Sequence, residues 1–95
     1  MEEFIEQRLN AMLAEPLDRL CSLPGCLEEE VVLDEKKTKV TTYHETLEGG
    51  KHRFIIQVIR ERWGGIAAKV IAGGYELSDA GSPRKLRADE LYDYT

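Results

Sequence analysis

The sequence has no apolar run long enough to cross a membrane and only two cysteines, Cys21 and Cys26, among its 95 residues. A membrane-spanning helix needs about 20 predominantly apolar residues. The first four residues also lack the basic start of a secretory signal. Without such a signal a structural disulfide is not expected. We therefore expect a cytoplasmic protein that makes no contact with a membrane.

Histidine is as scarce as cysteine, which limits the metal and catalytic chemistry open to the chain. The two histidines are His44 and His52, and the strand register predicted below places them on opposite faces of a sheet. A structural zinc site needs four ligands, so we predict no metal site. His44 is a candidate general base, but no serine or cysteine lies at a signature spacing to it. We predict no catalytic residue, no cofactor and no enzyme activity.

Positive charge is in deficit. Thirteen lysines and arginines stand against eighteen aspartates and glutamates, which gives a net charge of −5. This balance argues against a general coating of nucleic acid, because such binding is driven by the neutralisation of phosphates. Apolar residues make up 42% of the chain and charged residues 33%, which is typical of a globular protein. The length indicates a single domain over residues 1–95.

Apolar residues recur at helical spacing near the start of the chain and predict a helical segment over residues 1–22. Pro16 has no backbone N–H and crowds the preceding turn, so we expect a break there and a short second helix that begins with Pro16. The residues that carry the spacing are Ile5, Leu9, Met12, Leu13, Leu17 and Leu20.

The pattern then changes to strands, and residues 27–77 are predicted to form an antiparallel meander. We expect two-residue turns at 35–36, 49–50 and 64–65. The last two are Gly-Gly pairs, which adopt positive φ at no steric cost. The predicted strands are 29–33, 38–47, 52–62 and 66–77.

The predicted fold class is α+β, with an N-terminal helix packed on a four-stranded antiparallel β-meander. Residues 78–95 are expected to form a loop followed by a short helix or tail. Gly73 and Gly74 lie within the fourth predicted strand. Glycines inside a strand predict a bulge or the close approach of another segment to the backbone.

The expected turns predict which side chains share a face of the sheet. The face that we assign to the helix carries Val31, Leu33, Val40, Thr42, His44, Ile55, Gln57, Ile59, Val70 and Ala72. The opposite face is too apolar to lie in water, and its members include Tyr43, Phe54, Ile56, Val58, Ile71 and Tyr75. This surplus apolar face must be covered by the C-terminal segment, by a second copy of the chain or by a ligand.

These features predict a small, acidic, non-enzymatic binding or adaptor domain. We expect the chain to form a homodimer through the six residues just listed. Another protein is the alternative partner for this face.

A row of basic residues at one end of the same face favours a different function. Lys39, Arg60 and Lys69 are expected to lie side by side on three neighbouring strands, with Arg62 beside them. Like charges opposite each other destabilise a sheet, so the row predicts an anion site. Together with the aromatic residues of that face, it would suit nucleic acid. The less specific interpretation is that these long side chains extend into solvent and pair with nearby glutamates.

A third interpretation uses the carboxylates of the acidic helix and of Glu28, Glu29 and Glu30. Together they would form a surface for a basic protein partner, with this chain as its regulator. Successive glutamates in a strand alternate between faces, so they make a poor catalytic pair. At the start of a strand they also discourage pairing between sheet edges.

Overall fold

The computed structural model describes residues 2–33, 35–62, 67–78 and 83–94, without the side chains at positions 2, 17, 21, 61, 62 and 67–69. The fold is α+β, with two helices followed by one antiparallel sheet in the strand order β1-β2-β3-β4-β5. Among the described residues, neither helix is long and apolar enough to cross a membrane. The elements are α1 (Glu2–Leu13), α2 (Leu17–Cys21), β1 (Cys26–Leu33), β2 (Lys36–Thr46), β3 (His52–Arg62), β4 (Ala67–Leu77) and β5 (Arg84–Lys85).

The helical segment breaks at Pro16, as the sequence predicts. Pro16 has φ −60° and ψ 144° and lies at the N-cap of α2, so that helix begins one residue later than predicted, at Leu17. The Pro16 carbonyl oxygen accepts hydrogen bonds from the backbone N–H groups of Arg19 and Leu20. The extended backbone at Pro16 therefore separates α1 from α2.

The sheet has five strands where four were predicted, because residues in the expected C-terminal loop form β5. In β5, Arg84 pairs with Glu76 and Lys85 pairs with Tyr75. The β3–β4 register agrees with the prediction, with Arg60 opposite Lys69. The turn expected between these strands lies outside the described residues.

The β1–β2 turn lies one residue earlier than predicted. Leu33 pairs with Lys36, and Glu35 adopts a φ of 64°, which is left-handed backbone that favours glycine. Val31 consequently lies opposite Thr38 instead of Val40. Thr38 and Val40 are on the same face, so the predicted faces of these two strands are preserved.

The β2–β3 loop is one residue longer than predicted, and this changes the faces. Thr46 pairs with His52, and the backbone N–H of Leu47 donates to the Lys51 carbonyl oxygen at 2.8 Å. Glu48–Gly50 form the loop, with φ 76° at Gly49 and 73° at Gly50. An odd shift in register moves every side chain to the other face.

The predicted face assignment of β3 and β4 relative to β1 and β2 is therefore wrong. The face that packs on α1, named the helix face below, carries Val40 opposite Val58 and Thr42 opposite Ile56. The other side, named the tail face below, carries Tyr43 opposite Ile55. The residues of β3 and β4 that exchange faces are Phe54, Ile55, Ile56, Gln57, Val58, Ile59, Val70, Ile71, Ala72 and Tyr75.

The main core lies between α1 and the helix face. Ile5 and Leu9 are buried against Val40, Ile56 and Val58. Burial of a side chain of this size contributes about 1.5–3 kcal/mol. A second cluster extends this core, where Leu20 of α2 packs on Phe54 and Leu77.

The tail face is covered in part by residues 83–94, named the tail below. Leu86 and Leu91 are buried against Ile55, which is 0% exposed. The Leu86 backbone N–H donates to the Gly74 carbonyl oxygen at 3.0 Å. The C-terminal segment was one of the expected covers of the surplus apolar face. It does cover a face of the sheet, but on β3 it packs on Ile55 and not on the predicted residues Phe54, Ile56 and Val58.

The two glycines within β4 lie where the two covers approach the sheet closely, α1 at Gly73 and the tail at Gly74. A Cβ atom at Gly73 would lie 2.8 Å from Cγ2 of Ile5 in α1. One at Gly74 would collide with the Phe54 carbonyl oxygen and lie 2.9 Å from Cδ1 of Leu86 in the tail. The prediction of a close approach at these glycines is confirmed.

Candidate functional site

Among the described residues, the contacts of the tail lie on the half of the tail face around Ile55, named the covered half; the half around Ile59 is named the open half. The end of the tail is held by Gln57, whose side-chain Nε2 donates to the Tyr94 carbonyl oxygen at 2.6 Å. The Tyr43 hydroxyl donates to Oε1 of the same Gln57 at 3.2 Å. The rings of Tyr43 and Tyr94 lie 5.0 Å apart, centroid to centroid. These contacts fix the boundary between the covered half and the open half.

Charged residues hold the other side of the tail. Glu90 accepts hydrogen bonds from both terminal nitrogens of Arg84 at 2.8 Å and pairs with Arg53 of β3 at 3.1 Å. Its Oε1 also accepts the backbone N–H of Arg87 at 3.1 Å. The Arg84 bonds, followed by the Arg87 amide, lower the pKa of Glu90 to about 2, and the same contact with Glu90 raises the pKa of Arg84.

The open half of the tail face forms a cleft of about 590 Å³ on β1, β2 and β3. Five of its lining residues lie on the tail face by strand alternation, and Thr38 and Glu29 complete it. The seven lining residues are Glu28, Glu29, Glu30, Lys37, Thr38, Lys39 and Ile59. The cleft is the candidate functional site.

A single row of directly paired residues shows the chemical character of this surface. From the sheet edge inward the row contains Glu30, Lys39, Ile59 and Val70. It passes from an acidic residue to a basic one and then to two half-buried apolar residues. Val32, next on this face of β1, is 68% exposed. The surface therefore combines charges of both signs with exposed apolar area.

The three successive glutamates of β1 differ in their ion pairs. Glu28 contacts Nζ of Lys39 at 3.2 Å. Glu29 lies on the helix face, where Arg8 of α1 donates to both of its oxygens at 2.9 and 3.3 Å. Glu30 is exposed and forms no ion pair with any other described residue. Lys39 thus forms an ion pair with Glu28, whereas the carboxylate of Glu30 stays accessible.

The structure does not place the predicted dimer interface on a surface. Phe54, Ile56 and Val58 are buried at 2% exposure or less, and Ile71 and Tyr75 pack against the same core beneath the helices. Tyr43 lies on the opposite face, against the tail. A second copy would have to displace α1 to reach these side chains.

The predicted basic row is divided between the two faces. Lys39 pairs with Ile59, while Arg60 pairs with Thr38 and lies on the helix face. The Arg60 guanidinium donates to the Leu33 carbonyl oxygen at 3.4 Å. The side chains of the other two predicted members, Arg62 and Lys69, lie outside the described part of the chain. Lys39 and Arg60 therefore do not converge on one anion.

The two histidines lie side by side on the helix face, which corrects the prediction that they point to opposite faces. Nε2 of His44 lies 2.9 Å from Nδ1 of His52, and Nδ1 of His44 lies 3.0 Å from the Leu23 carbonyl oxygen. Phe54 stacks on the His44 ring at 4.6 Å. Both ring nitrogens of His44 are therefore engaged, which leaves neither placed to act as a base on a substrate.

Sequence reasoning did not identify the cleft or the tail contacts. A signal for the cleft was present, since Glu28 to Glu30 precede the lysines of the next strand closely enough for a hairpin to oppose them. The apolar positions Leu86 and Leu91 are a weaker signal, because their partners Ile55 and Ala72 are remote in sequence. Among the described residues, no group of three or more histidine, cysteine, aspartate or glutamate side chains is arranged to hold a metal ion.

Comparison of the chain with protein-family models, with curated proteins and with solved structures gives no match in any of the three. The function is therefore inferred from the geometry alone.

Proposed function

We infer that the chain is a small, non-enzymatic protein-binding domain and that the cleft on the open half of the tail face receives its partner. One observation carries this inference. The tail covers the half of the face around Ile55 and stops short of the row that contains Ile59. The uncovered half keeps both a cleft and an exposed valine, Val32.

The chemistry of the cleft suits a protein better than a small charged ligand. Its lysines and glutamates alternate in sign across the strands, and Lys39 already contacts Glu28. A compact anion would therefore meet carboxylates as well as amines. An extended surface with polar and apolar parts matches such a mixed patch, since protein interfaces combine an apolar centre with a polar rim.

The test is a selection of random linear peptides on the full chain, followed by mapping of the bound peptides through backbone amide chemical shifts. We expect shifts in β1 and in the cleft-lining parts of β2 and β3. The Val32→Asp variant should lose binding, because a charge replaces an exposed apolar contact. Ala11→Asp is the matched control, since Ala11 is an exposed residue of α1.

The solution mass at several protein concentrations separates a peptide partner from a second copy. A dimer that Val32→Asp dissociates would support binding at the cleft, with the chain itself as the partner. Shifts confined to the helix face, or equal losses in the two variants, would contradict the proposal. A monomer that selects no peptide would also contradict it.

A further inference from the structure

We propose that the partner is an extended, basic segment of another protein, which adds to the sheet as a further strand along the outer edge of β1. This inference rests on the proposed function and specifies its partner. It depends on three properties of β1, which are its open edge, its charges and its exposed apolar residue.

The open edge is the first property. In the strand order β1 is terminal, and among the described residues only β2 pairs with it. All eight of its residues, Cys26–Leu33, pair continuously without a bulge. An edge strand presents a row of backbone N–H and C=O groups that can pair with another chain. β1 contains no proline, lysine or bulge and is not short, so its three glutamates are the protection of this edge, and they act through their charge.

The charges favour a strand of opposite charge over a second copy as the occupant of this edge. Any pairing of two β1 strands that overlaps their glutamates sets carboxylates opposite carboxylates, which destabilises a sheet. A pairing centred on Val31 avoids this over residues 29–33, but it sets Glu29 and Glu30 opposite apolar side chains and leaves both carboxylates without a basic partner on the new strand. The glutamates therefore act against self-association and leave the edge open to a strand of opposite charge.

The alternation of charge across the sheet identifies the chemistry of that strand. On the tail face, β2 presents Lys37 and Lys39, and β1 presents Glu28 and Glu30. Oppositely charged residues on neighbouring strands stabilise a sheet. A next strand with lysine or arginine at alternate positions continues this alternation, and the accessible Glu30 is its first contact.

The exposed residue Val32 determines the third side chain that the partner strand presents to the tail face. Val32 follows Glu28 and Glu30 on the same face of β1 and is 68% exposed. A partner strand would therefore present two basic side chains and one apolar side chain to the tail face. Backbone pairing supplies the affinity and the alternate side chains supply the specificity in this mode of recognition.

The test uses three capped synthetic peptides and the full chain. The first, the lysine peptide, carries lysine, lysine and valine at three successive alternate positions. The second replaces each lysine by glutamate, and the third is the lysine peptide with alternate backbone amides methylated. We expect only the first to bind, with weaker binding at higher salt and slower hydrogen exchange at the outward amides of Cys26–Leu33. Loss of binding on methylation would identify strand pairing as its source.

A charge reversal makes the test specific to β1. The Glu28→Lys/Glu30→Lys variant should bind the lysine peptide about tenfold more weakly and should prefer the glutamate peptide. The control variant Glu3→Lys/Glu48→Lys changes the net charge equally at two exposed positions away from β1 and should keep the original preference.

The possible failures separate this inference from the proposed function. Equal binding of the methylated peptide, or no change of preference in the Glu28→Lys/Glu30→Lys variant, would overturn strand addition at β1. Peptides without basic residues that still map to the cleft would likewise overturn it and leave the binding function in place. Failure of every peptide, including the selected ones, would remove both.

Discussion

The carboxylate of Glu90 receives a hydrogen bond of 2.8 Å on each of its oxygens from the guanidinium of Arg84. The pair joins β5 to the turn that follows it, and Arg53 of β3 contacts the same carboxylate. Glu90 is only 11% exposed at its side chain. The charged form of Glu90 therefore holds the tail on the sheet, and this gives the attachment a dependence on pH.

Acidification is expected to loosen the tail. The pKa of Glu90 is about 2 in the folded chain, below its ordinary value of 4.5, so the unfolded state binds more protons between these values. The stability that the carboxylate contributes is complete above about pH 4.5 and is lost as the pH falls toward 2. Thermal unfolding should show that wild type exceeds Glu90→Gln in stability at neutral pH and that this difference narrows in acid.

The control for this measurement is Glu48→Gln, which changes an exposed carboxylate in the β2–β3 loop. Its stability should follow that of wild type across the pH range. A difference between wild type and Glu90→Gln that stays constant from neutral pH to pH 2 would contradict the assigned role of Glu90.

Removal of the apolar anchor of the tail is expected to destabilise the whole domain. Leu86 is 5% exposed and packs with Leu91 on Ile55. Leu86→Ala should lower the free energy of unfolding by about 2–5 kcal/mol, because it leaves a cavity against the sheet. Leu27→Ala makes the same change at an exposed position of β1 and should cost no more than about 0.5 kcal/mol. Urea denaturation measures the free energy of unfolding of both variants. Equal decreases in that free energy would show that the tail is not part of the core.

The two glycines of β4 should differ in their tolerance of alanine. At Gly73 the nearest atom to a new Cβ belongs to the flexible Ile5 side chain, so the cost should be about 1–3 kcal/mol. At Gly74 the obstacle is the backbone oxygen of Phe54, which cannot move without the strand, and the cost should be larger. Gly25→Ala is the control, since its Cβ would lie 3.8 Å from the His44 carbonyl oxygen. Stability is measured from the denaturation midpoints. A larger loss of stability for Gly73→Ala than for Gly74→Ala would contradict this order.

His44 is expected to carry its proton on Nδ1 when it is neutral. The Leu23 carbonyl oxygen, 3.0 Å from that nitrogen, can only accept a hydrogen bond. Nε2 of His44 must then accept from Nδ1 of His52. Long-range ¹⁵N–¹H spectra of the imidazoles should show this tautomer for both histidines. The opposite tautomer at His44 would contradict the contact with Leu23. His52→Ala should leave Nδ1 of His44 protonated, because the Leu23 contact remains.

Much of the fold could be predicted from local sequence, and the β2–β3 loop accounts for the main error of that prediction. The break at Pro16 and the bounds of β3 (His52–Arg62) are set by residues at those positions. In contrast, the loop Glu48–Gly50 can be closed with two residues or with three, because glycine accepts positive φ in either case. That single additional residue decides whether Ile56 or Ile55 faces α1.

The extent of the candidate site could not be predicted, because it depends on where the tail packs on strands that are distant from it in sequence. The sequence correctly indicates that both faces of the sheet carry apolar residues. It does not determine which segment or partner covers each face. The structure shows that α1 buries one set of side chains and that Leu86 and Leu91 bury half of the other. Only the packed arrangement shows that the tail leaves the row through Glu30, Lys39 and Ile59 uncovered among the described residues.

The position of the covers over Gly73 and Gly74 has a consequence for the order of folding. An isolated helix as short as α1, with 12 residues, is marginally stable in water. Its Ile5 finds a packing surface at Gly73 only after β4 has paired with β3, and Leu86 needs the same hairpin from the other side. We therefore expect the β3–β4 hairpin to be the folding nucleus on which both ends of the chain pack. Because the contacts of a nucleus are already formed in the transition state, substitutions within that hairpin should lower the refolding rate, whereas those in α1 and the tail should mainly raise the unfolding rate.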